Sequence, residues 1–305
     1  MTEPKRNLHA LDLLGADFSE ALSTEAETRR PRRRRRLQLA LAAGLALLAI
    51  AVLLPHILSD SPFHATNANA DLADTAAGIP PPPARSFAYT DSYLITTDSA
   101  TIGPHPRLAP SVAVRQQIWV SASRQGRIEV THLTPPMAGR TTSFPLHPSS
   151  VVQAGSESFK LSELEAGGDS TAKLVAALRR TGNRGTPAQA AEARWGATII
   201  QLGPLAPVLP GETRAALIRE LISIPGVKLV SKGDGEQAYE LVALGQKNAA
   251  TFSTATATLL KSSTVVENPK LDMLPFAPKG TILGSYQLRH IAQVKEVGQT
   301  GNPKN

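Results

Sequence analysis

The stretch Arg115-Gln116-Gln117-Ile118-Trp119-Val120-Ser121-Ala122-Ser123-Arg124-Gln125-Gly126-Arg127-Ile128-Glu129-Val130-Thr131 decides the fold class. Polar and apolar residues alternate in Gln117-Ile118-Trp119-Val120 and again in Arg127-Ile128-Glu129-Val130-Thr131, the period of two expected of sheet with one solvated face. Between them, Arg124-Gln125-Gly126 is a glycine-containing loop of hairpin length. Val112 to Ser123 and Arg127 to Leu133 are therefore expected to pair antiparallel. Phe87, Tyr89 and Tyr93 lead an earlier strand in the same style.

Beyond this hairpin, residues 134–159 are rich in Pro, Ser and Gly, with Pro135, Pro136, Pro145 and Pro148, and carry little periodicity. A long irregular loop is expected there. Helical signals follow. Asp169 or Ser170 can cap a helix running to about Arg180 and ending at Gly182, and Thr186-Pro187-Ala188-Gln189 is a capping-box pattern with proline at the first helical position. A third helix starts near Glu212, turns Ala215, Leu217, Ile218, Leu221 and Ile222 inward, and stops at Pro225-Gly226. Strand signals return in Val227 to Val230, Ala238 to Val242, Leu259 to Val266 and Thr281 to Val297, with Gly233-Asp234-Gly235 as a turn. The order β, α, β implies an α+β domain over 85–297. Its antiparallel sheet, which a curved half-barrel would also satisfy, is covered on one face by about three helices. Residues 298–305 read as a disordered tail.

Upstream, the character changes. Leu37 to Leu54 is an 18-residue run of Leu, Ala, Ile and Val broken only by Gln38 and Gly44, and Ile57 and Leu58 extend it. At about 1.5 Å per residue such a helix approaches the ~30 Å hydrocarbon thickness, so 37–58 reads as one transmembrane helix. Arg29, Arg30, Arg32, Arg33, Arg34, Arg35 and Arg36 stand at its entrance and only Asp60 follows its exit. The positive-inside rule then places the N-terminus in the cytoplasm and the rest of the chain outside, with the arginines on anionic lipid headgroups. Ala68-Asn69-Ala70 has the form of a cleavage site, but the apolar run is longer than a signal peptide needs. A twin-arginine export signal is the other alternative. In the cytoplasmic tail, 1–36, Leu8, Leu11, Leu14, Phe18 and Leu22 form an amphipathic stripe suited to the membrane or to a regulatory partner. Residues 59–84, with Ile79-Pro80-Pro81-Pro82-Pro83-Ala84, read as an exported linker stiffened by polyproline II.

Composition narrows the function classes. The chain has 305 residues, a net charge of +7 and no Cys, which excludes thiol catalysis, disulfides and Cys-ligated metals. The tail 1–36 holds nine basic and six acidic residues and the remainder 23 against 19, so the charge is concentrated in one short run beside an apolar segment. No aromatic platform accompanies that run, and nucleic acid is not an expected partner. The seven histidines lack metal-ligand spacing. Ser170-Thr171-Ala172-Lys173 fits S-x-x-K, but helix capping explains Ser170, and Lys279-Gly280-Thr281 reverses the order an acyl-transferring strand would present. No enzyme and no cofactor are expected.

An Arg-rich anchor, a helix running into Ala216-Leu217-Ile218-Arg219-Glu220-Leu221-Ile222-Ser223-Ile224-Pro225-Gly226-Val227-Lys228-Leu229-Val230, and closing strands together resemble a family of uncharacterised actinobacterial membrane-anchored exported proteins. The likeness spans roughly residues 29–58 and 160–297. It implies a single-pass anchor with an extracytoplasmic α+β domain; no activity comes with it. Where that family usually has an Asp/Pro/Gly-containing turn, this chain has Ser253-Thr254-Ala255-Thr256-Ala257-Thr258. The order of sheet and helices is also similar to the open half-barrels of periplasmic lipoprotein carriers and envelope-stress sensors, an analogy of architecture. Two expectations follow: a binding or sensing module holding a hydrophobic ligand between sheet and helices, lined by Trp119, Trp195, Leu221, Ile222 and Tyr239, or an envelope structural or interaction protein whose folded domain meets another protein or a wall component and whose cytoplasmic tail docks a regulatory partner of the sigma type.

Overall fold

The computed structural model describes residues 68–301 except 98, 103, 104, 109, 166, 167, 183, 184 and 272–275. The N-terminal tail 1–36 expected to be cytoplasmic, with its amphipathic stripe and arginine run, and the expected span 37–58 lie outside the described residues. Within them, no helix is long and apolar enough to cross a membrane.

The described chain is α+β and mostly antiparallel sheet. It runs α1 (Ala68–Ala77), β1 (Phe87–Thr96), β2 (Ser99–Ile102), β3 (His105–Leu108), β4 (Val112–Ser121), β5 (Gly126–His132), β6 (Thr141–Leu146), β7 (Val151–Ala154), β8 (Glu157–Lys160), α2 (Leu161–Glu165), α3 (Asp169–Arg180), α4 (Pro187–Leu202), a 3-10 turn (Ala206–Val208), α5 (Gly211–Ser223), β9 (Lys228–Gly233), β10 (Glu236–Ala243), β11 (Gln246–Ser253), β12 (Leu259–Val266) and β13 (Ile282–Val294). The main sheet has nine strands in the order β6-β5-β4-β1-β13-β12-β11-β10-β9. Two meanders, one before the helices and one after, are stitched together where β1 pairs antiparallel with β13. That pairing explains how β, α and β in sequence become one sheet.

Two hairpins show why these residues turn where they do. Arg124 takes φ 58, and Gly126 is required because a Cβ there would lie 1.8 Å from the carbonyl oxygen of Trp119. In the β9–β10 hairpin Asp234 and Gly235 take φ 51 and 75, the left-handed pair that matches strand twist in a two-residue loop. The Ser/Thr/Ala run departs from the expected turn chemistry and still turns: Ser253 N donates to Thr258 O at 2.9 Å, with Ala257 at φ 47.

Period two sorts the sheet's side chains. Val114, Ile118 and Val120 of β4, Ile128 and Val130 of β5, Phe144 and Leu146 of β6, and Tyr239, Leu241, Ala250 and Phe252 of β10 and β11 join the helical residues Leu174, Leu178, Trp195, Ile199, Leu217, Ile218 and Leu221 in one core. The opposite parity carries Tyr89, Trp119 and Val294, which form a separate small cluster.

Four expectations are corrected. The linker 59–84 is not extended throughout: 68–77 is helix α1, whose Leu72, Ala73 and Ala76 belong to the core. A composition of Ala, Asn and Asp repays its ordering here because Gly211 lets the end of α1 approach α5; a Cβ on Gly211 would meet Ala76 O at 2.8 Å. The prolines thus join α1 to β1, and Pro83 O accepts from Ser86 N at 3.1 Å. The loop 134–159 contains three strands, since β6 is the sheet's edge and an edge tolerates Pro145. Strand β11 was not anticipated; Leu244-Gly245 turns at φ 51 and 83, and leucine is a poor signal for a left-handed turn. Residues 298–301 do not form a loose tail, because Trp119 Nε1 donates to Gln299 O at 2.7 Å.

Helix caps follow the sequence in one case and depart in another. Thr186 and Gln189 form the reciprocal capping box with Pro187 in the first turn. At α3, by contrast, the capping position is Gly168 at φ 60 with no side-chain bond, so Asp169 and Ser170 lie inside the first turn.

Candidate functional site

The residues read as ligand-lining divide between two places. Trp195, Leu221 and Tyr239 are 2%, 0% and 1% exposed within the core between sheet and helices, and Ile222 packs against it from its partly buried edge. Burial pushes the Tyr239 hydroxyl up to about 12, and that hydroxyl donates to Gln237 Oε1 at 3.3 Å. Trp119 does not join them. It pairs with Tyr89 across β1 and β4 and so points to the other face of the sheet.

That other face holds a constellation the sequence reading missed. Tyr89 and Trp119 pack with ring centroids 5.1 Å apart, and the Arg127 guanidinium lies 5.1 Å from the Trp119 ring centre. Gln117 Nε2 donates to the Tyr89 hydroxyl at 2.6 Å, and His290 meets Tyr89 edge-on at 6.0 Å. Burial raises the Tyr89 pKa against the opposing pull of Gln117. Next along the face, Arg115 grips Asp91 through two bonds, Nε to Oδ1 at 2.9 Å and Nη2 to Oδ2 at 2.8 Å. This bidentate contact holds the guanidinium charged well above its ordinary range. Arg289 stands 4.9 Å over the Tyr93 ring. It is there because the β1–β13 register shifts between Asp91 and Ser92, making Arg289 the extra residue of a bulge that re-aims its side chain. The signal was legible in the alternations Tyr89-x-Asp91-x-Tyr93 and Arg115-x-Gln117-x-Trp119.

Three further clusters have structural or surface settings. Glu220, with a side chain 0% exposed, bonds Arg179 of α3 and Arg194 of α4, which ties three helices together. Arg214 has its pKa lowered by burial and by nearby Arg124. An open depression of about 260 Å³ is lined by Asp71, Leu72, Lys232, Gly233, Gly235, Glu236, Gln237 and Thr254, a mixed-charge rim beside the start of α1. Ser170 falls in the first turn of α3 and Lys173 just beyond it, where Lys173 is exposed and lacks the enclosed setting that serine activation needs. Among the described residues no three His, Asp or Glu side chains are grouped to hold a metal ion.

No family model matches the chain. No curated protein matches it either. Among solved structures, the dehydratase domain from the CurK module of curacin polyketide synthase aligns over 76% of this chain and 82% of its own, at 10% identity and a TM-score of 0.14. A likeness of that size carries no argument about fold or function.

Proposed function

We propose that the chain is a single-pass, membrane-anchored extracytoplasmic binding protein without catalytic chemistry, its arginine run on the cytoplasmic headgroups and its α+β domain, a curved half-barrel in outline, outside. The observation that carries the binding part is the division of the sheet: one face is filled against the helices by apolar side chains, whereas the other displays the ordered pairs Arg115–Asp91 and Arg289–Tyr93. Holding a hydrophobic ligand between the layers would require Trp195, Leu221 and Tyr239 to give up their enclosed packing. Recognition is therefore assigned to the outward face, in keeping with an envelope interaction partner, while the cytoplasmic tail is left for a regulatory one. The folded start of α1 at Ala68 shortens the reach between the expected membrane exit and the domain to roughly ten residues, at most ~35 Å of chain.

A reporter fused after Asn305 tests the topology. Activity only outside the cytoplasm is expected, and activity only in the cytoplasm overturns the reading. Solvent extraction of the purified full chain tests the mode of binding, since stoichiometric recovery of an acyl lipid would return the site to the space between the layers.

A further inference from the structure

Strand register builds one feature that no single stretch of sequence displays. Thr141 pairs with Thr131, Thr131 with Arg115, Arg115 with Tyr93, Tyr93 with Gln287, and Gln287 with Lys261. These six residues come from six adjacent strands and lie side by side in one row across the outward face. At ~4.8 Å per strand the row is ~24 Å long. Each member carries a side-chain hydrogen-bond donor and none is aliphatic. Thr141, Gln287, Lys261 and the flanking Arg289 are exposed, and Thr131, Arg115 and Tyr93 are half-buried.

We propose that this row is a docking surface for an anionic polysaccharide laid across the strands. This rests on reading the chain as a binding protein and names the chemistry of its ligand. Charge comes first: Arg115, Arg289 and Lys261 stand against Asp91, and Glu129 in the neighbouring row is already held by Arg127 at 3.0 Å. The balance along the row is positive, so it complements a negative chain. Preorganisation comes second. Arginine side chains ordinarily lose much rotamer freedom on binding, yet Asp91 clamps Arg115 and the Tyr93 ring supports Arg289, so that cost is met during folding. Shape and polarity come third. The hydroxyls of Thr131 and Thr141, 2.8 Å apart, and the Gln287 amide suit the hydroxyls of a sugar.

The same features disfavour other classes of partner. A protein interface draws its core from apolar and aromatic side chains, which this row lacks apart from Tyr93. A membrane surface calls for apolar residues to insert. Single-stranded nucleic acid requires open aromatic faces, and the Tyr93 face is covered by Arg289.

The test uses the full chain in detergent, in a background where Arg29, Arg30 and Arg32 to Arg36 are replaced by Gln so that the N-terminal run does not bind polyanions itself. Polygalacturonate is the probe, with neutral dextran, phosphatidylglycerol vesicles and poly(U) as comparisons. Salt-sensitive binding of polygalacturonate over dextran is expected, weakened about tenfold by Arg115→Gln with Lys261→Gln and Arg289→Gln, the loss of about 1.4 kcal/mol. Lys261→Gln with Arg289→Gln leaves the Asp91 clamp intact, so a loss of about threefold with an unchanged unfolding midpoint separates binding from folding. Three results would overturn the proposal: no binding of polygalacturonate by the background, equal binding by the variants, or tighter binding of vesicles or poly(U) through the same residues. None of them bears on the topology, which the reporter reads separately.

Discussion

Replacing Glu220 by Ala should destabilise the domain more than any other single change to a charged residue of the helical layer. Its carboxylate is fully enclosed: Oε2 accepts from Arg179 Nε at 2.7 Å, and Oε1 accepts from Arg194 Nε at 3.1 Å and from Arg194 Nη2. The two arginines differ in setting, with side chains 60% and 17% exposed. Without the carboxylate, Arg179 returns to water, but Arg194 is left as a largely enclosed charge with no counter-ion. Removing one partner of a buried pair costs about 3–5 kcal/mol, and the re-solvation of Arg179 takes the expected loss to the lower end, about 3 kcal/mol. For a domain of this size each kcal/mol moves the midpoint by about 2–4 °C, so circular dichroism on the full chain should show a fall of about 6–12 °C. Arg194→Met combined with Glu220→Leu should recover most of that loss, because removing both charges leaves none unpaired. A fall of less than about 2 °C for Glu220→Ala, or an equal cost for Arg179→Ala and Arg194→Ala, would refute the argument that enclosure sets the magnitude.

Other outcomes follow from particular contacts. Leu72→Ala should cost about 2–5 kcal/mol and expose the 68–77 segment to limited proteolysis, because Leu72 is 1% exposed; protection unchanged from the parent would mean α1 is not part of the core. Gly126→Ala should unpair the β4–β5 hairpin, since its Cβ would overlap the Trp119 carbonyl, and faster amide exchange along Val114 to His132 is the measure. Trp119→Phe keeps an aromatic ring but loses the bond to Gln299 O and leaves part of the buried indole's space unfilled, so exchange at 295–301 should rise with a stability loss of about 1–3 kcal/mol. Tyr239 should ionise near pH 12 in the folded protein. Because that value is raised above the unfolded one of about 10, its contribution to stability is whole below pH 10 and is lost as the pH climbs to about 12. A spectrophotometric titration showing all four tyrosines ionising near 10 would contradict this.

Much of the fold was readable because short-range physics decides it. Alternation in Gln117 to Val120 and in Arg127 to Thr131, the Thr186–Gln189 capping box, and the Gly233-Asp234-Gly235 turn each specify local geometry through a few residues, and the structure carries all of them. The misses share a cause. Leu244-Gly245 turns with a residue unsuited to positive φ, Pro145 sits in a strand that happens to be an edge, and Leu72, Ala73 and Ala76 of Ala68 to Ala77 join a core built by distant elements. In each case a neighbour distant in sequence overrides the local preference.

The candidate site divides along the same line. Residue types and their alternation, the apolar run 37–58 and its arginines belong to the sequence, because charge, hydropathy and period are properties of the chain itself. Which face Trp119 occupies, and that Thr141, Thr131, Arg115, Tyr93, Gln287 and Lys261 form a single row, depended on strand order, on the pairing of β1 with β13, and on the bulge that lifts Arg289 over Tyr93. Register between strands as far apart in sequence as Tyr93 and Gln287 is set by packing the whole sheet against its helices, since a one-residue slip would turn every core side chain outward. That condition exists only once the tertiary structure has formed.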